Sequence, residues 1–595
     1  MGSLRLRMMA HARHTLAALA AVLGCWALSH AQPTDVLALQ WDRYEAQAPK
    51  SILELQPFRS EARVQLAGVG GKVATVTLTN LNPHINAWFL LTVDAREGGA
   101  PRAYHLENPQ PRNAWPQLAQ ARADVAAMTG LGTDEACVLW RLGGGSPVEL
   151  AAHSGLPYAP LCDGRLYLRN PVAGHRSSLE AITQFLRDHV YGGEEIISFA
   201  KDEIYRDHFL ERGAGGTGTC SAPLSTSSAA PEPAATHPEP NEGCIVQGSL
   251  GLDLEVASAN LVPGAWYGVR DLPNVYAGVL TPEHLASDFL SGRQPGVNRL
   301  DATESNALVY LVAFDLASFE VHFALGTDHP QLDWSPRPPE AVRDPRLPGP
   351  DGVGSAAPLV PNGMVSPADV DRTVAAFAGG FKREHGAFRY GPLALVNHGS
   401  HYGFIQQGVI FSKLQPGLAT VFVTGAGQLY MKTWTHADDS MLGAIRDARQ
   451  NGVPLIEYDA ARGMSRPGAF VNQWGPGNWS GSAEEVLRTV RAGACLQQSQ
   501  SRRFLIYAYF SAATPSAMAR LFEAYHCRYA MQLDINALEH TYLALYVRRN
   551  RERLVEHAVQ GMEQCDSRTR DGFAPRFLAV PDDRDFFYLT RKGSP

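Results

Sequence analysis

Between positions 72 and 81 the apolar side chains of Ala74, Val76 and Leu78 alternate with Thr75, Thr77 and Thr79. A period of two marks a strand with one face buried and the other wetted. Asn82-Pro83 reads as a turn, and residues 87–93 read as the partner strand. The period then lengthens. Ser177 and Glu180 form a capping-box pattern ahead of Leu179, Ile182, Phe185, Leu186 and Val190, which predicts a helix with one apolar face. A second helical stretch covers 194–209. Residues 32–212 therefore read as a β-rich and helical N-terminal region, a packing or binding module without a catalytic motif.

Residues 213–242 hold Gly, Ser, Ala, Pro and Thr with almost no large apolar side chain. Such a segment buries too little surface to fold, and it reads as a linker. Beyond it the apolar runs are longer and strand-like: 308–314, 319–325, and 418–423, which turns through Thr424-Gly425-Ala426-Gly427-Gln428 into Leu429-Tyr430-Met431. A proline-rich stretch, 335–361, interrupts this part as a long surface loop. Residues 504–510 are an almost continuous apolar strand. Thr514-Pro515 then supplies an N-cap and a proline at the first helical position, and Met518, Leu521, Phe522 and Tyr525 share one helical face. Residues 529–533 form the next strand, ending at Asp534. This strand–helix–strand unit predicts two adjacent strands with the helix packed on their sheet. Residues 243–595 are accordingly expected to form one mixed-sheet domain, and the chain to be α+β or mixed α/β.

Composition and charge narrow the class. With 45% apolar and 19% charged residues, the chain belongs with globular proteins rather than coiled coils, collagens or disordered chains. A net charge of −7 without a long Lys/Arg run argues against nucleic acid as a partner. Arg5, Arg7 and Arg13 precede an apolar run at 16–28, and Ser29-His30-Ala31 offers small residues three before and one before a cut after Ala31. Residues 1–31 therefore read as a secretory signal peptide. An alternative is a lipoprotein signal, Val22-Leu23-Gly24-Cys25, in which Cys25 is acylated. No other stretch is long and apolar enough to span a bilayer, so no integral membrane span is expected and the mature chain reads as exported, periplasmic or secreted. Export permits disulfides. Seven cysteines lie outside the signal, none at C-x-x-C spacing. Pairing neighbours gives 137–162, 220–244 and 495–527, with Cys565 left over.

Three segments of the C-terminal half carry chemistry. Residues 374–381 are an apolar run ending in Gly379-Gly380-Phe381, where paired glycines allow a sharp turn or a close approach to a ligand. Residues 482–496 read as a helix capped by Ser482 and Glu485 and ending near Gly493. Arg491 would sit in its last turn, where a cation is also at ease without any function. Asp534 ends an apolar strand, with Asn536, Glu539 and His540 in the loop that follows, and ligands gather beyond the carboxyl ends of strands in α/β architectures. G-x-S-x-G, H-E-x-x-H and phosphate-loop motifs are all missing. His398, His401 and Asp438 would serve a metal-dependent hydrolase only within coordination distance of one another.

Taken in order, the three segments resemble the phosphodiester glycosidase family across roughly residues 255–595. Gly379-Gly380-Phe381 resembles the family's N-G-G-F-F, with Ala378 replacing Asn and Lys382 the second Phe. Arg491-Ala492-Gly493 resembles its R-T-A, without the threonine. Ala513-Thr514-Pro515 and the following helix resemble the approach to L-D-G-G-G-S, whose start is matched by Leu533-Asp534, while Ile535, Asn536 and Ala537 replace the glycines.

The resemblance implies a hydrolase of glycosyl phosphodiesters acting on a carbohydrate or sugar-phosphate substrate. Such cleavage passes through an oxocarbenium-like state and expels a phosphate monoester, which needs charge neutralisation more than protonation. Arg491 would neutralise it with bidentate hydrogen bonds. Asp534 would stabilise the cation or activate water, with His540 or Glu539 as acid–base partner. Gly379, Gly380 and Asn536 would contact substrate. No cofactor and no metal is required. The alternative is a non-catalytic exported protein that binds a glycan or phosphate ester, and the lost Asn and glycines favour it.

Overall fold

The computed structural model describes residues 51–95, 99–176, 250–290, 296–328, 351–382, 402–474, 487–569 and 572–593, with short pieces within 38–45, 220–222, 230–237, 244–246, 332–349 and at 388. The signal peptide with Cys25, the helices expected at 177–190 and 194–209, Ser482, Glu485, His398 and His401 all lie outside the described residues.

The alternation near the N-terminus does build a strand pair. Val73–Asn80 runs antiparallel to Trp88–Asp94, with Val76 opposite Val93 and Leu78 opposite Leu91. They sit inside a six-stranded sheet that also takes Ser60–Ala67, Arg102–Glu107, Leu166–Arg169 and Tyr158–Leu161. A three-stranded sheet, Gln117–Arg122, Val125–Thr129 and Cys137–Arg141, closes the core of this region. Cys137 and Cys162 are bridged, with Cα atoms 5.6 Å apart.

An eight-stranded sheet dominates the remainder. Its order is Tyr267–Gly268, Val275–Leu280, Val309–Asp315, Arg502–Ala513, Thr489–Ser499, Cys527–Ile535, Ile456–Asp459 and Met464–Pro467. Tyr507, Tyr509, Met531 and Leu533 on one face meet Phe323, Phe377, Leu543 and Phe587 of a five-stranded sheet in the principal core. The helix Pro515–Ala524 covers the other face through Met518, Leu521 and Phe522. Thr514 caps it by accepting the Ala517 N–H. Gly493 lies beneath the helix: a Cβ there would come within 2.8 Å of Met518 and 2.9 Å of Phe522. A glycine is what lets helix and sheet approach so closely. A second five-stranded sheet holds Phe404–Gln406, Val409–Ser412, Ala419–Thr424, Leu429–Thr433 and Ile445–Gln450.

The fold class departs from expectation. The protein is β-rich, built from several antiparallel sheets, and is not a mixed α/β fold. The helix after Ala513 does return the chain so that Arg502–Ala513 and Cys527–Ile535 point the same way, as in a parallel unit. However, Thr489–Ser499 is inserted between them and pairs antiparallel with both. The two strands therefore share a sheet without being neighbours. The described part of the helix expected at 482–496 is this inserted strand. Its side chains alternate between two cores, Ala492 and Ala494 towards one and Cys495 towards the other, so both faces are apolar and period two is masked.

Within the stretch read as a linker, Ala230 and Ala234 are buried, and residues 234 and 235 bond through their N–H groups to Gly264 and Ala524. Small side chains bury here as an extended strap. Cys220–Cys244 and Cys495–Cys527 are bridged, with Cα separations of 5.6 and 5.9 Å, and Cys565 is free and buried. Among the described residues no helix is long and apolar enough to cross a membrane.

Candidate functional site

Asp534 is the penultimate residue of its strand and is 5% exposed. Gln532 and Asp534 would share one face of a regular strand. A register shift between Arg491 and Gly493, opposite Ile535 and Gln532, separates them. Gln532 accepts a hydrogen bond from Arg491 Nη1 at 2.9 Å, whereas Asp534 accepts one from Arg584 Nη1 at 3.0 Å. Burial pushes the Asp534 carboxyl above its usual range, and the Arg584 cation opposes that rise.

Arg584 also joins Asp534 to His540. Its Nη2 lies 2.7 Å from His540 Nε2, and His540 Nδ1 lies 2.8 Å from the carbonyl of Ile535. A guanidinium only donates, so Nε2 is the acceptor and Nδ1 carries the proton given to Ile535. The imidazole is thereby fixed in one tautomer that orients the arginine.

The glycine pair reaches the same cluster from another sheet. Thr373–Ala378 ends just before Gly379, whose N–H donates to the Asp585 carbonyl at 2.9 Å. Gly380 has a φ of 132°, and a Cβ there would lie 2.6 Å from Arg449 Nη1. Arg449 and Asp585 form an ion pair at 2.5 Å with both side chains fully buried. Such a pair persists only when its remaining donors are satisfied. Arg449 donates further to the carbonyls of Phe381 and Gln450 and to Asn451 Oδ1. Asn451 closes the circuit: it accepts the Phe381 N–H at 3.1 Å and donates to the carbonyls of Gln532 and Leu533 at 2.7 and 2.6 Å. Phe381 is thus clamped to Gln532 and Leu533 through Asn451, which Arg449 holds in place.

Of the residues singled out in the sequence, Asp534, His540, Gly379 and Gly380 meet in this cluster. Glu539 is buried at its edge, and its carbonyl accepts from Arg576 Nη1 at 2.6 Å; Arg576 in turn pairs with Asp582 at 2.6 Å. Asn536 adopts a φ of 78°, donates through its N–H to Val490 and accepts from the Thr489 hydroxyl, so it turns the chain. Arg491 stands opposite Ile535 on the neighbouring strand, but its guanidinium is held by other partners. Fully buried, it donates to the carbonyls of Ala513 and Leu487 and to Gln532, and burial lowers its pKa to about 9. The acid acting on it is Glu304, at the start of another segment. Sequence reasoning missed Arg449, Asn451, Arg584 and Asp585. Their only signal is a polar run, Arg449-Gln450-Asn451, inside strand-like sequence and the charged Asp582-Asp583-Arg584-Asp585 before an apolar strand.

For the metal-dependent alternative, Asp438 is engaged by Lys432 at 2.6 Å and by Thr435, and no metal-holding group of His, Cys, Asp and Glu occurs among the described residues.

No protein-family model and no curated protein matches the chain. Among solved structures it is similar to the catalytic domain of zebrafish N-acetylglucosamine-1-phosphodiester alpha-N-acetylglucosaminidase, auto-inhibited by its pro-peptide. That likeness has 10% identity and a TM-score of 0.29 over 55% of this chain and 85% of that one. It is also similar to a Burkholderia pseudomallei protein thought to be exported, at 10% identity and a TM-score of 0.19 over 48% of this chain and 74% of that one. At these scores neither likeness bears on the chemistry.

Proposed function

We propose that the mature chain is an exported hydrolase that cleaves a glycosyl phosphodiester of an envelope or extracellular glycan. The observation that carries this reading is the clamp through Asn451 that joins Phe381 to Gln532 and Leu533, because Phe381 follows the glycine pair and Leu533 precedes Asp534, in the segments in which the family resemblance puts substrate contact and catalysis. In this reading Asp534 faces the oxocarbenium-like carbon, where a negative charge is most useful. Arg584 and His540 hold its carboxylate in place. The Nε2 lone pair of His540 is taken up by Arg584, so His540 acts as a positioning residue. Export is supported by three disulfides. The reaction calls on no cofactor.

A second reading, a non-catalytic protein that binds a glycan or phosphate ester, is favoured by one observation: each nitrogen of the buried Arg491 guanidinium donates to an internal partner. A panel of synthetic sugar-1-phosphodiesters separates the two. Release of free sugar from at least one member is expected of the hydrolase, and saturable binding without turnover across the whole panel would establish the binding protein instead.

A further inference from the structure

We propose that a second site, well apart from Asp534, binds a saccharide carrying a phosphate or sulfate ester. The edge strand Leu429–Thr433 leans on the eight-stranded sheet and leaves a cavity of about 470 Å³, lined by Lys432, Arg503, Arg528, Glu457, Gln498 and Tyr458 among others. Lys432 is paired with Asp438. The two arginines meet no carboxylate among the described residues. Arg503 donates through Nη2 to the Leu429 carbonyl and lies over the Tyr430 ring at 5.5 Å. Arg528 donates to Gln498 Oε1 at 2.9 Å and lies over the Tyr458 ring at 4.0 Å. A guanidinium has five N–H donors, so most of those in this cavity find no acceptor among the described residues.

Two like charges lining one cavity repel each other. Burial weakens the hold of Arg503 on its proton, Tyr430 opposes that, and the neighbouring Arg528 adds a smaller push in the same direction as burial. The tyrosine faces fix both guanidinium planes at the cost of that repulsion. An oxyanion with several oxygens relieves it and takes paired hydrogen bonds from each fork. Glu457 refines the ligand class. Held by the Thr433 hydroxyl, it lines the same cavity. It repels a bare anion but accepts hydrogen bonds from hydroxyl groups, so the ligand that satisfies all three side chains bears both an ester oxyanion and hydroxyls. Arg528 precedes Asp534 by six residues on one strand, about 20 Å at 3.3 Å per residue. The site therefore stands independently of the proposed reaction.

Calorimetric titration of the full chain at low salt with glucose 6-phosphate, glucose 6-sulfate, inorganic phosphate and glucose tests it. Both esters should bind saturably, at least about tenfold tighter than inorganic phosphate, and glucose should give no heat. Arg503→Gln and Arg528→Gln should each weaken the esters about tenfold or more, Arg528→Lys should do so while keeping the charge, and Glu457→Gln should narrow the gap between ester and inorganic phosphate. Wild-type melting curves for these partly exposed positions establish that the losses are local. The proposal is overturned if neither ester binds, if inorganic phosphate binds as tightly as the esters, or if both arginine variants bind like the parent.

Discussion

Asp534 ties local chemistry to the proposed reaction through opposing effects on its proton. Burial raises its pKa and Arg584 lowers it. The ionised carboxylate is the active form, so activity should fall as pH drops through this raised value, above the usual range for Asp. Arg584→Gln removes the opposing cation, and the acid limb of kcat/KM should move to still higher pH. A pH–rate profile in which that limb is unmoved would show that Arg584 does not act on Asp534. Gly380 makes a different kind of claim. Its φ of 132° and the 2.6 Å approach of Arg449 leave no room for a methyl group, so Gly380→Ala should cost about 2 kcal/mol or more, read as a lowered melting temperature. Asp534 and the glycine pair were legible because a strand-end acid and paired glycines are local signals. Arg449 and Asp585, 136 positions apart, were not, because charged runs are usually solvated and only tertiary structure shows which one is buried.

Elements were legible where one face differs from the other. The helix Pro515–Ala524 announces itself through its cap and its apolar face, and the strand before it through an almost continuous apolar run. Thr489–Ser499 overlaps the sequence that reads as a helix over 482–496 because it buries both faces with small residues and borrows its identity from two neighbours. The same insertion brings Cys495 beside Cys527. Removing this bridge in a Cys495→Ser/Cys527→Ser variant should destabilise the protein by about 2–4 kcal/mol. Denaturant melts check this, and unchanged stability would mean that the loop is already constrained by its sheet pairing.

For the whole molecule, pairing neighbouring cysteines anticipates all three bridges, whereas the fold class departs from expectation, since a crossover helix does not reveal that an earlier strand, Thr489–Ser499, lies between the two it joins. The buried Cys565, whose thiol is pushed up by burial, should resist alkylation in the folded protein and become the one reactive thiol of the mature chain once it is denatured without reductant. Intact-mass analysis after alkylation reads this directly, and two or more labels would break the pairing. The central claim is that Asp534 is the catalytic charge of an exported phosphodiester hydrolase. The most direct measurement compares turnover of a sugar-1-phosphodiester by the parent and by Asp534→Asn, with a melting curve for each. The variant should stay folded, with a lowered melting temperature because Arg584 loses its buried counter-charge, and should lose about a hundredfold or more in rate; turnover by Asp534→Asn equal to that of the parent would contradict this.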